Sequence, residues 1–312
     1  MPETRKRHVP SSSGSTSPTH KSVSSSGPNK DEASRSFSHT LGLLIIFISL
    51  SCVTTLFLLP SPIEPIEYSL PLPPEFIGPL AENKLLAKAD KLFLDRLRGP
   101  ESITVHNGKL FTGTADGKIL EINGDDIRVV ATLGKPPCGK FDDEPTCGRP
   151  LGMRFDKDGS LVVVDAYLGL FRVNVETGKF VQLYSPETLV DGEQAAFLND
   201  LDIDSDGTVY FTDSSTNWGR RYNRYAAMEA KKNGRLLAYN PNTKQTEVIL
   251  KNMSFPNGVQ LSPEKDFILI AELCTCKILQ YSINTLLCEN SVFVNSLFCD
   301  LNGIKCYLCY VP

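Results

Sequence analysis

The stretch "FPNGVQLSPEKD" (Phe255–Asp266) decides the fold, because "FLNDLDIDSDG" (Phe197–Gly207) opens the same way: an aromatic, one residue, an Asn, a small or acidic residue, then an alternating strand. Placing both on the Asn extends the series to "GPESITV", "RPLGMRF" and "DLNGIKC", with Glu101, Leu151, Asn199, Asn257 and Asn302 at one offset. The intervals are 50, 48, 58 and 45 residues. A period of that size with four short strands per unit is the pattern of a β-propeller blade.

Within each unit the strands are short, β-branched or aromatic, and divided by Gly or Asp turns. The second unit reads "LGMRFD", "SLVVVDA", "GLFRVNVE" and "KFVQLYS", with "KDG" and "ETG" as turns. The third reads "LDID", "TVYFTDS", "RLLAYNP" and "TEVILK", and carries an extra stretch, Trp218 to Lys232, that accounts for its length. The first and fourth follow suit, and the fifth stops after its first strand. The fold class is therefore all-β, a propeller of about four blades plus the first strand of a fifth over residues 99–312.

The turn leading into a blade's innermost strand lies at one mouth of the central channel. Glu101, Asn199, Asn257 and Asn302 then present oxygens to a common point, and hard oxygen donors of this kind suit calcium. The competing explanation is that Asn tolerates the backbone angles of such a turn.

What precedes the repeats sets the compartment. Residues 1–40 are rich in Ser, Thr and Pro and read as a disordered tail. Residues 41–59, "LGLLIIFISLSCVTTLFLL", carry no charge and are long enough to cross a bilayer as a helix. A cleaved signal peptide is the alternative; forty preceding residues and the following "LLPSPIEP" argue for an uncleaved anchor. Arg5, Lys6, Arg7, Lys21, Lys30 and Arg35 precede it, whereas Glu64, Glu67 and Glu75 follow it before any base. The positive-inside rule then gives a single-pass type II protein of the plasma membrane or endoplasmic reticulum, tail cytoplasmic and C-terminal domain outside or lumenal. Residues 60–98 read as a linker with a short helix.

In that oxidising compartment Cys138 and Cys147, bracketing "GKFDDEPT", are expected to form a disulfide rather than two thiols. The six cysteines from Cys274 to Cys309 are too irregularly spaced for zinc. Asn252 in "NMS" is a usable N-glycosylation acceptor. After the anchor, 33 acidic residues face 26 basic ones, which leaves no electrostatic footprint for nucleic acid.

The segments "GPESI", "FTGTADGKI", "CGRPLG", "DAYLGLF", "FLNDLDI", "VYFTDSST" and "FPNGVQLS" together resemble the strictosidine synthase-like proteins, from about Ser61 to about Leu297. The resemblance implies a six-bladed propeller related to paraoxonases and gluconolactonases, with calcium at the channel mouth and Glu101, Asn199 and Asn257 where the family places its ligands. Two departures limit what is carried over. Asn302 stands where gluconolactonase-like relatives place an Asp that serves as ligand and proposed base, and an amide cannot accept that proton. The part holding the plant synthases' catalytic Glu is absent, so Pictet–Spengler condensation is not expected.

For a Ser–His enzyme the one His beyond the anchor is His106, and no G-x-S-x-G elbow is present. His106 is a weak catalytic candidate against the reading of a solvent-facing strand end. "GRRYNRY" around Arg220 and Arg221 suggests an anion-binding lid, or a solvated loop. Two functions remain. One is a membrane-anchored, calcium-dependent hydrolase of small-molecule esters or lactones, of arylesterase type, weakened by truncation; the other is a non-catalytic, calcium-stabilised binding or adhesion propeller. Four blades and one strand are expected to leave the ring open and its end faces uncovered.

Overall fold

The structure, a computed structural model, describes residues 30–70, 72, 75–78, 81–283, 299–300 and 305–306. The chain divides into two units, Met1–Pro62 and Ile63–Pro312. In the first, α1 runs Lys30–Leu58, and its stretch Ser36–Leu58 is long and apolar enough to cross a membrane. The helix begins eleven residues before the apolar run, within the part expected to be disordered. Once nucleated, a helix extends at little further cost, and "KDEASRSFSHT" contains no Gly or Pro to stop it.

The second unit is built of antiparallel sheets. Blade one is β1 (Glu101–His106), β2 (Lys109–Gly113), β3 (Lys118–Asn123) and β4 (Asp126–Thr132). A short helix α2 (Glu144–Cys147) precedes blade two, which is β5 (Pro150–Phe155), β6 (Leu161–Asp165), β7 (Gly169–Val173) and β8 (Phe180–Tyr184). Blade three is β9 (Leu198–Ile203), β10 (Val209–Asp213), β11 (Gly234–Asn240) and β12 (Gln245–Met253), with α3 (Asn223–Glu229) inserted between β10 and β11. Blade four shows β13 (Pro256–Leu261), β14 (Phe267–Glu272) and β15 (Lys277–Ser282). Each sheet is a meander in sequence order. The expected fourth strand of blade four lies outside the described residues, as does Asn302. Nearby, β16 (Cys299–Asp300) pairs with β17 (Lys305–Cys306).

Blades stack because their second strands are apolar on both faces. In β6, Leu161 and Val163 pack with Phe111, Ile119 and Met153 toward blade one, while Val162 and Val164 pack with Leu201 and Phe211 toward blade three. In β10, Val209 and Phe211 face blade two, and Tyr210 joins Val259 and Ile268 of blade four. A strand covered on both sides loses polar alternation, which is why "LVVVD" and "VYFTD" read as unbroken buried runs. The innermost strands approach closely: a Cβ on Gly152 would collide with the backbone and carboxylate of Asp200. On blade one, Ile103 and Val105 of β1 remain 67% and 63% exposed, and the sheets do not close a ring among the described residues.

Within the stretch 60–98, residues 81–98 form successive turns, with Leu85, Leu86, Leu92 and Leu94 exposed. By contrast, Ile63–Tyr68 is docked. The Glu64 N–H donates to Glu229 Oε1 at 2.9 Å, the Ile66 N–H to the Glu229 carbonyl at 3.0 Å, and the Tyr68 hydroxyl to the Thr275 carbonyl at 2.9 Å.

Candidate functional site at the blade mouth

Glu101, Leu151, Asn199 and Asn257 are the first or second residues of β1, β5, β9 and β13, so the shared sequence offset is a shared structural position. Each of these strands slips register at that point: between Glu101 and Ile103, between Pro150 and Met153, opposite Phe211–Asp213, and between Pro256 and Val259. A bulge bends the strand and re-aims the side chain beside it. In β1 the bulge carries Ser102 at φ 56°.

The aromatic of the repeated motif supports this turn. Phe197 and Phe255 meet edge to face at 5.6 Å, and they cluster with Leu151, Ala166 and Ala226 beneath Trp218. The motif "FTDSS" of blade three then holds the Asn199 side chain and the Asn257 backbone. Asn199 Nδ2 donates to Ser214 Oγ at 3.0 Å, and Ser214 Oγ donates to the Pro256 carbonyl at 2.6 Å. Thr212 Oγ1 donates to the Asn257 carbonyl at 2.7 Å and accepts from the Asp200 N–H at 3.1 Å. With its nitrogen so committed, Asn199 has its oxygen left as an acceptor.

A second repeated feature escaped the sequence reading. The acids ending β6, β10 and β14, namely Asp165, Asp213 and Glu272, are all buried. Asp213 Oδ1 accepts the Phe197 N–H at 3.2 Å and Glu272 Oε1 the Ser254 N–H at 2.8 Å, each just ahead of a mouth residue. The acid at a fixed place after "VVV", "YFT" and "LIA" was the signal that could have found them.

Glu101 is electrostatically the most exceptional of the set. Burial, opposed by Arg149 and reinforced by Asp200, pushes its carboxyl up to about 7, and its Oε2 is buried without a hydrogen-bond partner among the described residues. Asp165 is likewise raised by burial, to about 6, and its Oδ2 has no hydrogen-bond partner among the described residues. Between these acids lies Arg149, 4% exposed, with Nε and Nη1 unpartnered among the described residues and its pKa lowered by burial. Asp200, also raised by burial, accepts the Val259 N–H at 3.2 Å and so stitches blade three to blade four.

Above the mouth, two loops meet. Arg220 Nη1 binds Glu144 Oε1 and Oε2 at 2.8 and 2.6 Å, the Tyr167 hydroxyl donates to Glu144 Oε2 at 2.9 Å, and Arg221 pairs with Asp142 at 2.9 Å. Cys138 and Cys147 are disulfide-bonded, as expected, and close the loop bearing Asp142 and Glu144. The basic "GRRY" segment is thus tied to the disulfide-closed loop.

His106 sits at the opposite end of β1, roughly 16 Å along the strand from Glu101 by strand rise. It stacks on Phe155 with ring centroids 4.0 Å apart. The structure therefore does not bring it to the mouth. Among the described residues, no three or more His, Cys, Asp or Glu side chains group closely enough to hold a metal, so a cation here would depend on amide oxygens with Glu101. That donor set is all oxygen, and the unpartnered Glu101 Oε2 fits it.

A strictosidine synthase family model matches residues 199–286, and a model of strictosidine synthase-like N-terminal regions matches residues 78–122. The chain belongs to the strictosidine synthase-like family of β-propellers. Among its relatives, adipocyte plasma membrane-associated protein of Danio rerio is 45% identical over 251 residues, 80% of this chain and 60% of that protein. The Mus musculus protein of the same name is 44% identical over 254 residues, 81% of this chain and 61% of that protein. The chain thus spans about 60% of the length of these curated relatives. A gluconolactonase structure from Xanthomonas campestris is similar over 61% of this chain and 60% of its own, with a TM-score of 0.46 and 15% identity.

Proposed function

We propose that the protein is a membrane-anchored propeller that binds calcium at the blade mouth and hydrolyses small esters or lactones there, with arylesterase-type chemistry. The relatives' name ties them to the plasma membrane, and the helix Ser36–Leu58 supplies a span of sufficient length. The charge asymmetry around that helix supports the type II orientation.

The observation that carries the metal reading is the Glu101 carboxylate, whose Oε2 is buried and unpartnered among the described residues, in a series of blade entries where the Asn199 side chain and the Asn257 backbone are held. Glu101, Asn199 and Asn257 would hold the ion. When bound, calcium supplies charge that polarises a carbonyl. The chain's own part is positional. Ser214 and Thr212 lock Asn199 and the backbone of Asn257, the Phe197–Phe255 pair sets the floor, and the lid over Glu144 and Arg220 restricts water.

The position of His106 favours the second reading, a calcium-stabilised binding propeller without turnover, since no His base stands at the mouth. Calcium titration of the full chain in detergent, followed by thermal melting and by phenyl acetate hydrolysis, separates the two. Calcium-dependent melting and turnover support the hydrolase, melting alone supports the binding propeller, and neither response removes calcium from the mouth. Glu101→Gln deletes the one formal charge among the described ligands and is expected to lose most of the calcium-induced stabilisation.

A further inference from the structure

Arg149 has no structural duty that its neighbours explain. It precedes β5 and is 4% exposed, yet Nε and Nη1 have no partner among the described residues. None of the acids around it pairs with it among the described residues, although Glu101 Oε2 and Asp165 Oδ2 are themselves unpartnered there. Glu144 is taken by Arg220 and Tyr167, and Asp165 Oδ1 accepts the N–H groups of Tyr167 and Leu168 at 3.0 Å each. Glu101 lies near enough to interact with Arg149 electrostatically, and no ion pair joins them among the described residues. A buried guanidinium left with free donors is costly unless something ionic or strongly polar meets it.

Charge decides what that something is. Arg220 cancels Glu144, and Arg154 lies 3.8 Å from Asp200, which leaves Arg149 facing Glu101 and Asp165. A divalent cation on Glu101 would turn this set net positive and place a second positive charge near the guanidinium. An anion between them removes the repulsion and satisfies the free donors. A carboxylate matches the guanidinium in plane and in spacing of its two oxygens.

We infer that Arg149 is the anchor for a carboxylate bound at the mouth together with the metal, so that each tightens the other's binding. The inference rests on the calcium reading above and deepens it. Ester and lactone hydrolysis both yield a carboxylate, so the ligand class is the acid product or a substrate that already carries one.

The test is the calcium Kd of the full chain in detergent, by isothermal titration, with and without saturating butyrate. Butyrate is expected to tighten calcium binding about tenfold, a typical coupling between linked sites. Arg149→Met should abolish that coupling while still binding calcium, and Arg149→Lys should keep part of it. Calcium binding that butyrate leaves unmoved in the wild-type protein overturns the inference and leaves the calcium reading standing. Coupling undiminished in a folded Arg149→Met protein also overturns it. Inorganic phosphate acting as strongly as butyrate overturns the carboxylate assignment. If the wild-type protein binds no calcium, the calcium reading fails, and a butyrate thermal shift on the metal-free protein decides the anion site: a shift lost in Arg149→Met upholds it, and no shift overturns it.

Discussion

Arg220, from the insertion in blade three, grips both carboxylate oxygens of Glu144, from the disulfide loop ahead of blade two, at 2.8 and 2.6 Å. The two loops are 76 residues apart in sequence, and this contact together with Tyr167 makes one lid of them. Glu144 is 5% exposed and Arg220 22%, so the pair is sheltered enough to matter.

Arg220→Ala should destabilise the domain by about 2 to 3 kcal/mol, less than the loss for a fully buried pair because Arg220 retains some solvent. Glu144→Gln should cost less, since the amide still accepts from Tyr167. Urea melts of the two variants check the order, and equal, negligible losses would show that the lid is held elsewhere.

Replacing Cys138 and Cys147 together by Ser opens a loop of sequence separation 9. The chain-entropy model puts the loss at about 2 to 3 kcal/mol. Non-reducing peptide mapping should recover the two cysteines in one linked fragment, and thermal melting of the double variant should show the loss.

In calcium-free buffer, stability should fall as pH rises through the Glu101 carboxyl. That group titrates at 4.5 when unperturbed and near 7 when folded, so the folded state holds the proton more tightly. Its contribution is complete below pH 4.5 and lost as pH passes 7, about 3 kcal/mol in all. Asp165, raised to about 6, acts in the same direction. The difference in urea stability between pH 5 and pH 8 should shrink in Glu101→Gln, and an identical difference in both proteins would remove Glu101 as its source.

Asn252 is exposed at φ 60° in β12, two residues before the buried Ser254. Under the type II orientation it should carry glycan, visible as a sharpened gel band after glycosidase treatment. Digestion of an N-terminal epitope by external protease on intact cells would reverse the orientation.

Much of the architecture was legible because two periodicities are written in the chain: the fifty-residue spacing of Glu101, Leu151, Asn199 and Asn257, and the strand alternation within each unit. The shared offset is a shared position in the fold, since all four residues open innermost strands. What stayed hidden depends on partners distant in sequence. The Arg220–Glu144 clasp joins a basic segment that reads as an anion-binding lid or a solvated loop to the disulfide-closed loop 76 residues away, a pairing neither loop announces. Arg149 reads as an ordinary surface Arg before a Pro, and its isolation appears once blades one and two stack around it. His106 stands out by its residue type, but strand direction carries it to the end of β1 opposite Glu101.

The docking of Ile63–Tyr68 on the insertion has a consequence for where the domain can be severed from its anchor. Glu229, 2% exposed, accepts from the Glu64 N–H and from Trp218 Nε1, and these bonds outweigh the burial that would otherwise raise its pKa. A product begun at Glu75 would strip one donor from a buried carboxylate and leave it to Trp218 Nε1 at 2.7 Å and the more distant Lys231. A cut that keeps these bonds falls ahead of Glu64, in the short stretch after the end of α1 at Leu58 that carries Pro60 and Pro62. The docked segment therefore begins close behind the helix's end, and a form released from the helix that keeps the Glu64–Glu229 bond should begin before Glu64.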